Sequence, residues 1–324
     1  AMGTLMDGGC TPAQIGAFLM GLRRVEPSAE LLAALARAMR ERSVRIHPRV
    51  EGLLLDVCGT GGAPLKTFNV STTCAFVIAG AGVPVAKHGN RSHTSKSGSA
   101  DILEALGVKL EVSPKAVEEA IEQIGIGFLF APLFHPAMRH AAGPRRELGI
   151  RTVFNLLGPL TNPAGAEAHL MGVFSPELVE LFPQVLKGLG VKRALVAHGR
   201  DGVDEISTLG PTYAGELKDG EIRHYELRPE AFGLRRTTIE KIQNIEPQAS
   251  AKLALGILEG KLRDERYEIV LLNSAAGLYV AGGASSIEEG LAKAEASIAE
   301  GRALAKLRAL IRKTNEGGQD GSSG

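Results

Sequence analysis

The residues best suited to chemistry lie in two polar, small-residue segments, GTGGAPLKTFNVST (Gly59 to Thr72) and AKHGNRSHTSKSGSAD (Ala86 to Asp101). In the first, Gly59, Gly61 and Gly62 let the backbone approach an anion closely, and Asn69, Ser71 and Thr72 fall where a helix should start. Free N–H groups and the positive end of the helix dipole meet a phosphate at such a place. A tight strand-to-helix turn capped by Asn or Ser would use the same residues, and the segment is neither a Walker A loop nor a dinucleotide fingerprint. The second segment crowds Lys87, His88, Asn90, Arg91, Ser92, Thr94, Ser95, Lys96, Ser97 and Ser99 into the 13 positions 87–99, directly after an apolar run. That density of donors suits a polyphosphate. A solvated loop could be equally polar, but would rarely follow a buried strand directly.

Further along, GRDGVDEIS carries Asp201, Asp204 and Glu205. Adjacent carboxylates on a loop suit Mg²⁺, which takes one or two carboxylates plus substrate phosphates and water; a turn rich in Asp and Gly would read the same way. His135 and Arg145 stand ten apart in an apolar-to-basic stretch, with Arg139 and Arg146 nearby. An arginine there could hold a substrate carboxylate bidentately, although surface arginines and a packed histidine give the same pattern. His47, His169 and His224 carry no functional signal.

The elements that position these residues read as α/β. Thr11-Pro12 caps an apolar-faced helix, and Leu31, Leu32, Leu35 and Met39 continue the helical period after Pro27-Ser28, so residues 1–50 form a small helical domain. From residue 51 to 316, short apolar runs alternate with glycine loops and amphipathic helices, predicting a large α/β domain with a central, mostly parallel sheet flanked by helices. Strands are expected at 53–57, 83–87, 128–131, 193–197, 212–216 and 224–227. The second delivers Lys87 and His88 at its C-terminal end, where functional side chains gather in an open α/β sheet. The stretch 132–163 reads as helical, interrupted at Pro144 and Pro159, and as packing with the N-terminal helices. Two long helices close the chain, 264–281 and one from a capping box at Ser285-Ser286 running past Gly301. Residues 317–324 are Gly/Ser-rich and read as a disordered tail, and Ala1-Met2 as a cloning or processing remnant.

At 324 residues and 44% hydrophobic, the chain can bury a large core. With 37 Lys plus Arg against 36 Asp plus Glu and no Trp, it lacks the basic surface and stacking aromatics that nucleic-acid binding wants. Three cysteines without CxxC spacing, no run long enough to span a membrane and no signal pattern predict a cytoplasmic protein without disulfide or zinc.

Several long blocks in register, GTGG with TFNVST, KHGNR with SGSADILEALG, FLFAPLFHPAM, LGIRTVFNLLGPLTNPA, DGVDEIS and NSAAGLYVAG, resemble the anthranilate phosphoribosyltransferases of tryptophan biosynthesis. The resemblance implies transfer of the phosphoribosyl group from phosphoribosyl pyrophosphate to the amine of anthranilate, Mg²⁺ as cofactor, and a homodimer formed through the helical part. It implies that Gly59, Gly62, Ala63, Thr67, Asn69, Val70, Ser71, Thr72, Lys87, Asn90, Arg91, Ser95 and Ser99 line the phosphoribosyl pyrophosphate site. Gly59, Asn90 and Arg145 would contact anthranilate, with His88, His135 and Pro159 along its channel. Ser71, Asp204 and Glu205 would address Mg²⁺, and Lys87, His88 and Arg145 would serve catalysis. One departure is visible, since Ala63-Pro64 stands where the resemblance leads one to expect Asp. A pyrimidine nucleoside phosphorylase, or a non-catalytic nucleic-acid-binding relative, would share the architecture.

Overall fold

The computed structural model describes residues 1–92, 96–243 and 245–316. Ser95, Thr94 and the tail 317–324, all singled out above, lie outside them. Among the described residues the centre is a seven-stranded sheet: β1 (Leu55–Gly59), β2 (Val85–Gly89), β3 (Ile126–Phe130), β4 (Ala168–Gly172), β5 (Arg193–Gly199), β6 (Thr212–Lys218) and β7 (Glu221–Leu227). Their order is β3-β2-β1-β4-β5-β6-β7, with β1 to β5 parallel and β6 and β7 antiparallel at one edge. The parallel strands are mostly apolar and buried on both faces because helices cover both. β7, at the edge, is largely exposed.

One face carries helix Val70–Gly80, in which every residue except Ser71 is buried. It is apolar all round because helices Glu265–Val280 and Arg302–Glu316 pack over it. The other face is covered by helices Ala29–Arg40 and Glu177–Gly188, and Leu32, Ala36 and Met39 share one core with Phe182, Leu186, Met171 and Val196. Helix Arg139–Leu148 packs on helix Pro12–Arg23. The chain lays down β1, β2 and β3 outward in one direction and then returns to place β4 on the other side of β1. The crevice beyond the C-terminal ends of β1 and β4 is therefore the switch point where such sheets bind ligands.

The fold corrects several expectations. Strand β4 has no counterpart among the expected strands, and helices Glu177–Gly188 and Pro247–Leu258 have none among the expected helices. At the N-terminus, helix Met2–Met6 buries Met2, Leu5 and Met6. Pro144 does not interrupt its helix, since Arg139–Leu148 runs through it, and the missing N–H removes one hydrogen bond from a segment held by packing. The last helix does not cross Gly301. That residue, at φ 72°, separates Ile287–Ala299 from Arg302–Glu316.

Candidate active site

β1 ends at Gly59 and β2 at Gly89, so both glycine-rich segments open into the same crevice. Lys87 alternates toward the face covered by helix Val70–Gly80. Its Nζ donates to the Val57 carbonyl at 2.6 Å and lies 3.4 Å from Ser71 Oγ. Burial pushes its pKa down while the Asp56 and Glu205 carboxylates push it back up. The result is an almost dry ammonium with donor capacity to spare beside a helix N-terminus.

His88 alternates to the opposite face. Its backbone N–H donates to Asp56 Oδ1 at 3.1 Å, and its ring lies 5.1 Å, centroid to centroid, from that of His135. Burial, then the neighbouring His135, holds His88 well below the usual histidine range, and burial pushes His135 down to about 4. Both rings are therefore neutral at pH 7, and the Nε2 atom of each is buried without a hydrogen bond. They line a cavity of about 520 Å³ together with Gly59, Asn90, Arg145 and Pro159. All six residues expected around anthranilate thus share one cavity, to which the N-terminal helices add Met39. Arg145 is half-buried, lies over the Phe154 ring at 5.1 Å, and has no carboxylate within 4 Å among the described residues.

The acidic loop docks on the end of β4. A Cβ on Gly172 would stand 1.7 Å from the Asp204 carbonyl oxygen, so only glycine permits this approach, and a Cβ on Gly59 would lie 3.6 Å from Asp204 Oδ2. Burial raises the pKa of Asp204, opposed by Lys66; burial and then Asp204 itself raise that of Glu205, opposed by Lys87. Two adjacent desolvated carboxylates with no ion-pair partner within 4 Å among the described residues fit a hard divalent cation, whose charge would relieve both penalties.

The other expected residues divide. Gly62, Ala63 and Thr67 belong to the loop after β1, with Ala63 buried and Thr67 bridged to Gln243. Thr72 is buried with its hydroxyl unpaired, and Ser99 donates to the Asn90 carbonyl at 3.3 Å. Val70 offers no side chain to the crevice, and its N–H is directed to the Phe68 carbonyl at 2.6 Å. Asn69 Oδ1 accepts from Ser97 at 2.9 Å and Ser250 at 2.8 Å, so its amide ties the second loop to the first. Arg91 is turned away: its guanidinium pairs with Glu104 at 2.8 Å and Asp101 at 3.2 Å.

Sequence reasoning missed Asp56 and Lys66. Asp56 is fully buried, and its Oδ2 has no partner; the signal is an acid inside the apolar run LLLDV. It converges with Cys58 and His169 within 4.8 Å, but the Arg40 guanidinium also acts on Asp56, so a cation is already present there.

Fold and site together are those of a glycosyl transferase. Residues 51–304 match the family described as "Glycosyl transferase family, a/b domain", and residues 1–43 match its "helical bundle domain". An anthranilate phosphoribosyltransferase of Syntrophobacter fumaroxidans is 50% identical over 315 residues, covering 97% of this chain and 93% of its own. The crystal structure of that enzyme from Thermus thermophilus superposes with a TM-score of 0.92 at 45% identity, covering 97% of this chain and 93% of the other. The Saccharomyces cerevisiae enzyme in complex with PRPP and Mg gives 0.88 at 30% identity, covering 97% and 91%. The chain belongs to the anthranilate phosphoribosyltransferase family. None of these relatives is a nucleoside phosphorylase or a nucleic-acid-binding protein.

Proposed function

We propose that the protein transfers the 5-phosphoribosyl group from phosphoribosyl pyrophosphate to the amine of anthranilate, releasing pyrophosphate, in tryptophan biosynthesis. The observation that supports this reading is that the cavity holding Arg145 reaches Gly59, Gly89 and Asn90 at the ends of β1 and β2, while the Lys87–Ser71 pair sits on the other face beside those same strand ends. The first is a slot for an aromatic acid, and the second a seat for phosphate.

Phosphoribosyl pyrophosphate lies with its phosphates against Lys87, Ser71, Thr72, Ser99 and the backbone of Gly59 and Gly62. Arg145 holds the anthranilate carboxylate, and Asn90, His135 and Pro159 keep the ring in the slot. As the C1–oxygen bond to pyrophosphate breaks, the ribose gains oxocarbenium character and negative charge builds on the leaving group. Asp204, Glu205 and Ser71 would hold Mg²⁺, which would supply charge neutralisation there. The amine is already neutral, so positioning it over C1 matters more than deprotonating it. Once the C–N bond forms, the surplus N–H proton passes to Nε2 of His88, a neutral and unpaired acceptor.

The domain division follows the same reading, with a helical unit 1–50 joined by 132–163 and an α/β unit 51–316. Its helical surface supports a homodimer: Met20, Val25, Val44 and Ile150, the exposed large apolar residues among those described, all lie on the helical regions. No described helix is long and apolar enough to cross a membrane, which accords with a cytoplasmic setting. Anthranilate fluorescence should fall on addition of phosphoribosyl pyrophosphate and Mg²⁺. Phosphorolysis of thymidine with no loss of anthranilate would overturn the assignment.

A further inference from the structure

The loop after β1 carries a cation that none of the roles above uses. Pro64 and Leu65 pack against the acidic loop, 3.9 and 4.0 Å from where a Cβ on Gly202 would stand. This contact sets Lys66, the next residue, beside Asp204. Lys66 is half-buried, and no hydrogen bond or ion pair within 4 Å holds it among the described residues. A second cation stands close: the Arg151 guanidinium donates to the Gly62 carbonyl and lies over the Phe174 ring at 4.9 Å, pinning the same loop. Burial works against the lysine's charge, Asp204 opposes it, and the nearby Arg151 adds a smaller repulsion.

A half-dry ammonium near a second fixed cation is costly unless an anion completes the group. Asp204 offsets part of this cost, and its carboxylate is also the one that would hold Mg²⁺ in the reading above. Ala63, where a carboxylate is expected, is buried and leaves the loop without an acid of its own. The charge of this loop is therefore positive.

We propose that Lys66 is a pyrophosphate-binding residue, its ammonium supplying fixed positive charge to the same leaving group that the Asp204–Glu205 pair serves through Mg²⁺. The proposal rests on the phosphoribosyl pyrophosphate site described above and adds a residue to it. It predicts that part of the pyrophosphate affinity survives removal of the metal and depends on the Lys66 charge.

The test is calorimetric titration of inorganic pyrophosphate into the full chain in EDTA and again in Mg²⁺, using wild type, Lys66→Met, Lys66→Arg and Lys87→Met. Lys66→Met keeps the apolar stem, and its melting temperature checks the fold. Loss of one charge-assisted contact should weaken binding in EDTA about tenfold or more, while Lys66→Arg stays close to wild type. Wild-type affinity in Lys66→Met, with Lys87→Met weakened, would overturn the role of Lys66 and leave the site standing. A loss in Lys66→Met that Lys66→Arg shares would show that loop shape and not charge matters, which also defeats it. No pyrophosphate binding by wild type, or none lost in Lys87→Met, would remove the site and the proposal together.

Discussion

Replacing Arg145 by Ala should damage recognition of one substrate only. The guanidinium lines the cavity, is half-buried and pre-ordered over Phe154 at 5.1 Å, and has no carboxylate within 4 Å among the described residues, so no ion pair competes for its donors. A charge-assisted hydrogen bond to a partly desolvated carboxylate contributes about 1.5–3 kcal/mol. At about 1.4 kcal/mol per factor of ten, the KM for anthranilate should rise roughly 10- to 150-fold. Phosphate contacts come from other elements, so the KM for phosphoribosyl pyrophosphate should move by less than about twofold. Arg145→Lys should fall nearer to Ala than to wild type, because an ammonium keeps the charge but not the fork. Initial rates from anthranilate fluorescence, with each substrate varied in turn, separate the two constants. Aniline, which lacks the carboxylate, supplies a control: wild type and Arg145→Ala should use it equally poorly. Equal rises in both KM values, or a further loss on aniline, would refute the reasoning.

Three buried histidines make stability fall with acid. Burial lowers their folded-state pKa, to about 3 for His169 and about 4 for His135, below the usual 6.5. Their contribution is therefore complete above pH 6.5 and is lost as pH falls toward those values, by up to about 1.4 kcal/mol per pH unit and histidine. Urea unfolding at pH 7.5 and 5 should show the slope, and His169→Gln should flatten it by about 2 kcal/mol; an unchanged slope would exclude His169 as a source. Gly172→Ala should displace the Asp204 backbone, since its Cβ would stand 1.7 Å from that carbonyl oxygen. A Mg²⁺ titration should shift to higher concentration, and an unaltered curve would show that β4 does not place the acidic loop.

Much of this can be read along the chain because it is local. Ser113, Ser286 and Thr11 cap helices through hydrogen bonds to backbone groups three residues on. Lys87 and His88 end a strand because a run of apolar or small residues, Gly82 to Ala86, precedes them. β4 is not legible in this way, since AHLMG places a histidine in a five-residue run and becomes a strand only between β1 and β5. Asp56 escapes a reading along the chain because an acid in a buried strand makes sense only with its partner, the His88 N–H one strand away.

By itself the sequence determined the chemistry on offer: a dense set of phosphate donors, one acidic pair and one arginine, in segments whose local propensities agree with an α/β fold. Only the tertiary structure decided which of these meet. It turned Arg91 back onto Glu104, spent the Asn69 amide on Ser97 and Ser250, left the His88 and His135 rings neutral with Nε2 of each unpaired, and set Lys66 beside Asp204. The reason is physical. Helix caps and turns depend on neighbours a few residues away, whereas the desolvation and pairing of a charge depend on strand order, which brings residue 66 to residue 204.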